Sequence, residues 1–344
     1  MAFEVKLRDV AARAGVSIGT ASQALNNRPN VSADTRLRVL NSAHELGYHI
    51  REHLPAASAT DLAVVGMITK HDYGLRLDVN PFYSHIQLGV ERECQRLGLS
   101  LMYANIEVDH QNRPVIWPSM LTEQRIDGLL FVGTFFEDTV DMIQRQIQIP
   151  IVLVDSYAPN LNFDHILIDN LNGTRRMVEY LIQLGHRNIG LIGSGQDNPP
   201  GIQERVHSFI TTLQAHQLHA SFLEDSWLKR DLSYQATQRL LRRAPEVTAL
   251  FVINDDCAIG AIHAATDLGL RVPQDISIAG FDDINLAREV TPALTTVVVP
   301  KTWMGAMGVR RLLDRAANPD QPKVYMALST ELIIRDSVGA PHPN

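Results

Sequence analysis

The chain has 344 residues, a formal net charge of −7, 45% hydrophobic residues and two cysteines. That length holds more than one core, and a globular composition without long like-charge runs excludes a disordered or fibrous protein. Cys94 and Cys257 stand far apart outside any CxxC spacing, so neither a disulfide framework nor a zinc site is expected. No apolar run approaches the ~20 residues of a membrane span. Charges at Glu4, Lys6, Arg8 and Asp9 interrupt any signal-peptide core. A cytoplasmic protein with no membrane partner is expected.

Charge is unevenly spread. Residues 1–60 hold seven Lys/Arg and five Asp/Glu, a balance of +2, which leaves −9 on the remainder. That mild asymmetry is compatible with a small DNA-binding head on an acidic body.

The first sixty residues read as three short helices. Leu7, Val10, Ala11 and Ala14 recur at helical spacing, and Gly15 ends that helix as a C-terminal cap. Ser17 is the expected N-cap of a second helix reaching Leu25. "NNRPN", from Asn26 to Asn30, is turn chemistry. Ser32 then caps a third helix, with Leu37, Leu40 and Leu46 on one face and Gly47 closing it. Beyond it the apolar periodicity stops, and Pro55 with several small residues marks a linker.

From Leu62 onward strands and helices alternate. Apolar strand candidates are 62–68, 99–104, 128–132, 151–154, 166–168, 189–192, 249–253 and 276–279. Helical candidates between them include 82–97, 173–184, 204–216, 234–243 and 258–268. Repeated βα units with near-continuous apolar strands predict an α/β body of parallel sheets covered by helices on both faces. Two such sets imply two similar lobes. A strand at 295–299, a helix at 304–316 and a strand at 331–334 are expected to return to each lobe in turn. The predicted division is a head at 1–48, a hinge at 49–61, a first lobe at 62–160 plus 292–325, and a second at 161–291 plus 326–344.

Two places carry chemistry. In "LRDVAARAGVSIGTASQALNN" two helices meet at the tight corner Ala14-Gly15-Val16-Ser17. In a helix-turn-helix of this kind the second helix enters the major groove and its first residues touch base edges. An ordinary three-helix packing unit is the other reading of the pattern. The second place is the set of strand ends, where open parallel sheets bind ligands. Asp155 follows "IVLV", Asn254 and Asp255 follow "FVI", and Asp282-Asp283 close "SIAGF". Converging carboxylates and an amide suit the hydroxyls of a polyol. Helix capping is the alternative, and position alone favours it for Asp255 and Asp283.

Other features point away from catalysis. "GLIGSGQDNPPG" fails the G-x-G-x-x-G test because its third glycine would fall at Asn198. His216 and His219 lack a third ligand type nearby and read as solvated surface. No Ser/His/Asp signature or HExxH motif occurs, so no enzyme, cofactor or metal is expected.

The head is similar to that of the lactose/galactose-repressor (LacI/GalR) family of bacterial transcription regulators. Its pattern, roughly DVAxxAGVSxxTVSRVLN followed by VSxxTRxRVxxAxxxLGY, is met here from Asp9 to Asn26 and from Val31 to Tyr48. The body resembles the same family at "NPFYSHIQLGVE", "RIDGLLFVG", "IPIVLVDS", "LFVINDDCAIGAIHAATDLGLRVPQDISIAGFDDINLA" and "TPALTTV". The resemblance implies a repressor that binds a pseudo-palindromic operator as a homodimer and answers to a small ligand, a sugar or glycoside, between its lobes. It assigns DNA contacts to Ser17, Ile18, Gly19, Thr20, Ser22, Gln23 and Asn26, and effector contacts to Phe82, Tyr83, Asp155, Arg205, Trp227, Asn254 and Asp282.

Departures from the family pattern carry predictions of their own. Gln23 stands where the family usually has Arg, and Gln suits a bidentate contact with adenine rather than guanine. In the linker, Ile50-Arg51 replace Pro-Asn, Ala57 occupies the place of the leucine that wedges into the minor groove, and Leu54 is the candidate substitute one turn earlier. Val299 replaces a common Gln of the cleft. The absence of leucine heptads after Ile334 favours a dimer over a tetramer. The rival reading is a stand-alone sugar-binding protein of the periplasmic type, which would need a signal peptide and would leave the head unexplained.

Overall fold

The computed structural model describes residues 6–25, 31–46, 62–72, 81–108, 115–133 and 137–342. The chain separates into one unit ending at Ala59 and another beginning at Thr60. Among the described residues no helix is long and apolar enough to cross a membrane.

The first unit contains α1 (Leu7–Ala14), α2 (Ile18–Leu25) and α3 (Ala33–Leu46). Gly15 takes φ +66°, the left-handed cap that lets the chain turn straight into α2. Ser17 Oγ accepts the Thr20 N–H at 3.0 Å and Ser32 Oγ accepts that of Thr35 at 3.3 Å, so both helices start on serine caps. Val10, Ala11, Ala14, Ala21, Ala24, Val31, Val39 and Ala43 form the core. Mostly small residues let three short helices approach closely.

The expected inward face of α3 is corrected. Leu37 and Leu40 are 59% and 38% exposed, and the inward stripe is the buried Val39 and Ala43 with the half-buried Leu46 packed against them. The four-then-three spacing of that stripe follows the helix repeat, whereas Leu37 and Leu40 lie off it. Asn26, Gly47, Leu54 and the hinge at 49–61 lie outside the described residues.

The second unit carries two six-stranded sheets. Its first part runs β1 (Val64–Asp72), α4 (Pro81–Leu97), β2 (Ser100–Val108), α5 (Ser119–Thr122), β3 (Gly128–Val132), α6 (Glu137–Gln146), β4 (Ile151–Val154) and β5 (Asp164–Ile168). Its second part runs α7 (Asn170–Gln183), β6 (Ile189–Ile192), α8 (Pro200–Ala215), β7 (Leu223–Glu224), α9 (Arg230–Arg243), β8 (Ala249–Val252), α10 (Asp255–Asp267), β9 (Ser277–Asp282), α11 (Leu286–Glu289) and β10 (Thr295–Val298). The tail adds α12 (Lys301–Ala317), β11 (Tyr325–Leu328) and β12 (Glu331–Ile333).

Strand order is β11-β5-β4-β3-β1-β2 in the first sheet and β12-β10-β9-β8-β6-β7 in the second. All pairs are parallel except β10 with β12. The central strands β3, β4, β8 and β9 are buried along their whole length, as helices on both faces demand.

Strand pairing moves the expected lobe boundaries. β5 pairs with β4, so the first lobe continues past 160 to Ile168. β10 pairs with β9, so 295–298 belongs to the second lobe although 292–325 was expected in the first. β11 joins β5 in the first sheet, although 326–344 was expected in the second. The chain therefore crosses between lobes three times: at Asp169, at Val299-Pro300 and at Ser329-Thr330. The reassigned strands lie in the outer pair at one end of each sheet, β11 and β5 in the first and β12 and β10 in the second, where an apolar run does not reveal which sheet will accept it.

Candidate functional site

The second helix of the head presents Ile18 at 55% exposure, with Gln23 also exposed, while Ala21 and Ala24 face the core. Ser17 and Thr20 share a hydroxyl contact of 2.9 Å at the helix start. Gly19 lies in the first turn and Ser22 is half-buried. The geometry leaves Ile18 and Gln23 outward on a helix whose opposite side is fully packed.

In the body, the strand ends bring several of the predicted residues together. Arg205, in α8, is buried and stacked 3.6 Å from the centre of the Phe281 ring. Its Nε donates to Asn170 Oδ1 at 2.9 Å, and its Nη1 donates to the Ile253 carbonyl at 2.8 Å and to Asp282 Oδ1 at 3.3 Å. One guanidinium thus ties the ends of β8 and β9 to the start of α7. No described residue accepts from its Nη2.

Asp155, at the end of β4, faces this group from the other lobe. Its only described side-chain bond comes from Tyr83, whose hydroxyl donates to Oδ2 at 3.2 Å. Burial pushes the Asp155 carboxyl up to about 7; Asp282 and Glu204 add like charge, and Arg205 opposes them. Burial also raises Asp282, against the pull of Arg205 and Lys301. Asp155, Asp282 and Asp283 all take left-handed backbone, at φ +54°, +118° and +52°. Non-glycine residues held there mark strained sites that the surroundings over-determine.

The other predicted residues divide. Phe82 is buried, with its ring edge-on to Tyr83 at 5.2 Å. Trp227 is 63% exposed at φ +46°, its N–H donating to Asp225 Oδ1 at 3.1 Å. Asn254 is the N-cap of α10, its Oδ1 accepting the Cys257 N–H at 2.8 Å. That overturns the expected capping role of Asp255. Asp255 is instead fully buried, accepting from Ile284 N at 2.9 Å and from the Thr296 hydroxyl, and so pins the ends of β9 and β10. Asp283 is no cap either, for it pairs with Arg335 at 2.6 Å and Arg288 at 3.2 Å.

Three residues at the lobe junction were not singled out by sequence. Tyr157, after β4, donates to Glu204 Oε2 in α8 at 2.8 Å, and Asn170 donates to the same oxygen at 3.0 Å. Tyr157 and Asn170 lie in the polar stretches after β4 and β5, and nothing in the sequence around either marks Glu204 as their shared partner. His216 and His219 are exposed, and among the described residues no cluster of metal ligands forms.

Residues 6–50 match the family model for bacterial regulatory proteins of the lacI family, and residues 178–338 match that for a periplasmic binding protein-like domain. The HTH-type transcriptional repressor PurR of Haemophilus influenzae (strain PittEE) is 34% identical over 343 residues, covering 96% of this chain and 98% of the relative. A transcriptional regulator CelR–cellobiose complex superposes with TM-score 0.69 at 28% identity, covering 97% of this chain and 99% of that one. A lac repressor dimer bound to operator and the anti-inducer ONPF gives 0.68 at 26% identity, covering 98% and 100%. The lacI-type head disfavours a stand-alone periplasmic binder. With head and body in agreement, the chain belongs to the LacI family of bacterial regulatory proteins: it is a DNA-binding transcriptional repressor that answers to a small-molecule effector.

Proposed function

We propose that the effector is a sugar or glycoside held between the lobes, with Asp155 on one side and Arg205 and Asp282 on the other. The juxtaposition of these three groups carries the reading. A bidentate acceptor facing a guanidinium with a spare N–H suits adjacent hydroxyls, each of which both donates and accepts. Trp227 and Tyr83 supply aromatic faces for the apolar side of a pyranose ring. The similar CelR structure contains cellobiose, which supports the class without naming the member.

The operator is read as a pseudo-palindrome by a homodimer, and we place the protein in the cytoplasm with its DNA. A single head offers too small a basic surface for tight binding, and two-fold pairing supplies two half-sites. Gln23 selects adenine at its position, Ile18 makes apolar contact, and Ser17, Thr20 and Ser22 suit the phosphates. Leu54 and Asn26 complete the proposed contacts. Calorimetric titration with glucose, galactose, ribose, cellobiose and lactose tests the effector class. At least one should bind wild type and fail with Arg205→Met; heat from none of them overturns the assignment.

A further inference from the structure

Lys301 opens α12 at the second crossing between lobes and is 6% exposed. A buried ammonium must find acceptors for its protons. It finds three main-chain carbonyls: those of Asp282, Asp283 at 3.1 Å and Val299 at 3.4 Å. Pairing of β9 with β10 ends at Asp282, opposite Val298, so the carbonyls just beyond need partners from elsewhere. Asp282 and Asp283 also both carry left-handed backbone. The ammonium therefore sits where a strained turn would otherwise relax.

What that turn presents is the Asp282 carboxylate, which faces Arg205. Lys301 itself travels with the first lobe. It lies over the Phe82 ring of α4, 5.9 Å from the centre, and α12 packs on α4 without intervening side chains. A Cβ on Gly89 would fall 2.0 Å from the Thr302 carbonyl, and one on Gly305 would fall 2.1 Å from that of Ile86. The two helices are locked, so Lys301 follows α4.

We infer that Lys301 is a positioning residue for the effector site: its carbonyl cage holds the Asp282–Asp283 turn in the conformation that sets Asp282 against Arg205. Because the cage is made by one lobe on the other, the placement of Asp282 depends on how the lobes sit. The inference rests on reading the cleft as the effector site.

Hydrogen exchange and calorimetry test it together. In Lys301→Met, which keeps most of the side-chain volume, amide exchange at Asp283 and Ile284 should accelerate about tenfold or more while α4 and α12 exchange as in wild type. For whichever of glucose, galactose, ribose, cellobiose or lactose binds the wild type, Kd should rise about tenfold. Asp282→Asn should add little to that loss, since both changes act through one carboxylate. Wild-type exchange at 283 and 284, or additive losses in the double variant, overturns the proposal. Should the methionine variant fail to fold, Lys301→Arg carries the test: faster exchange confined to 283 and 284 supports it, and uniform or unchanged exchange overturns it. If none of the sugars binds wild type, the sugar assignment fails while the exchange result still decides the role of Lys301.

Discussion

The two lobes meet the cleft with opposite materials. The second lobe presents Arg205 and Asp282 cross-bonded to each other, to Asn170 and to the Ile253 carbonyl, with Asp255 and Lys301 bracing the same strand end. The first lobe presents Asp155, whose described side-chain contact is one 3.2 Å bond from Tyr83. One side is organised before any ligand arrives. The other holds a carboxyl group short of partners, and a ligand with hydroxyl donors would relieve it. On the proposed reading, an effector that satisfies Asp155 would bind one arrangement of the lobes better than another, and only such a difference in affinity shifts a two-state equilibrium.

The comparison predicts unequal mutational effects. Arg205→Met should be the most damaging, because it strands the buried Asp282 carboxylate and the Ile253 carbonyl together. A loss of about 3–5 kcal/mol is expected for a broken buried pair, read as a lower urea midpoint; a wild-type midpoint would show that the second lobe is not interlocked. Asp155→Asn should act in the opposite direction on stability. Its carboxyl is raised to about 7 in the folded state, so the folded protein holds a proton that the unfolded chain releases near pH 4. Wild-type stability therefore falls as pH rises from about 4 to 7, and the asparagine variant should lack that slope. At pH 8 the variant should be more stable on the order of 1–2 kcal/mol, allowing for partial exposure, and equal to wild type near pH 4. Melting curves across pH decide it.

Tyr83→Phe should cost under about 1 kcal/mol, since the bond it removes is long. Its sharper signature is an upward shift of the pH transition assigned to Asp155, because the tyrosine hydroxyl stabilises the charged form. A transition that stays in place would mean the carboxyl does not feel Tyr83. Smallest on stability is Gln23→Arg, an exposed substitution expected to stay within about 0.5 kcal/mol. Site selection with that variant should move the preferred base from adenine toward guanine; an unchanged selected sequence removes Gln23 from the reading set.

The same contrast explains what the sequence could reveal. Short-range signals were readable: Gly15, Ser17 and Ser32 do the capping their chemistry suggests. Apolar periodicity marks the starts of α7, α8, α9, α10 and α12 three or four residues late, because it begins after the first turn. Asn254 and Asp255 show the limit. Adjacent and chemically alike, they exchange the expected capping role, and only the fold reveals that Asp255 lies beneath Thr296 and Ile284. β11 went unread because an edge strand with alternate residues half-exposed carries little apolar signal. Lys301 went unread because a lysine after a proline looks like surface, and its acceptors lie on another strand.

Ligand in the proposed cleft and DNA at the head should be coupled in one repressor. Fluorescence anisotropy on a DNA site selected by the protein itself, with and without a saturating sugar that binds it, reads that coupling. A coupling free energy of about 1–3 kcal/mol, or roughly 5- to 150-fold in operator affinity, is expected, and it should vanish in Arg205→Met. Sugar binding that leaves operator affinity unchanged would show that the proposed cleft does not control the head.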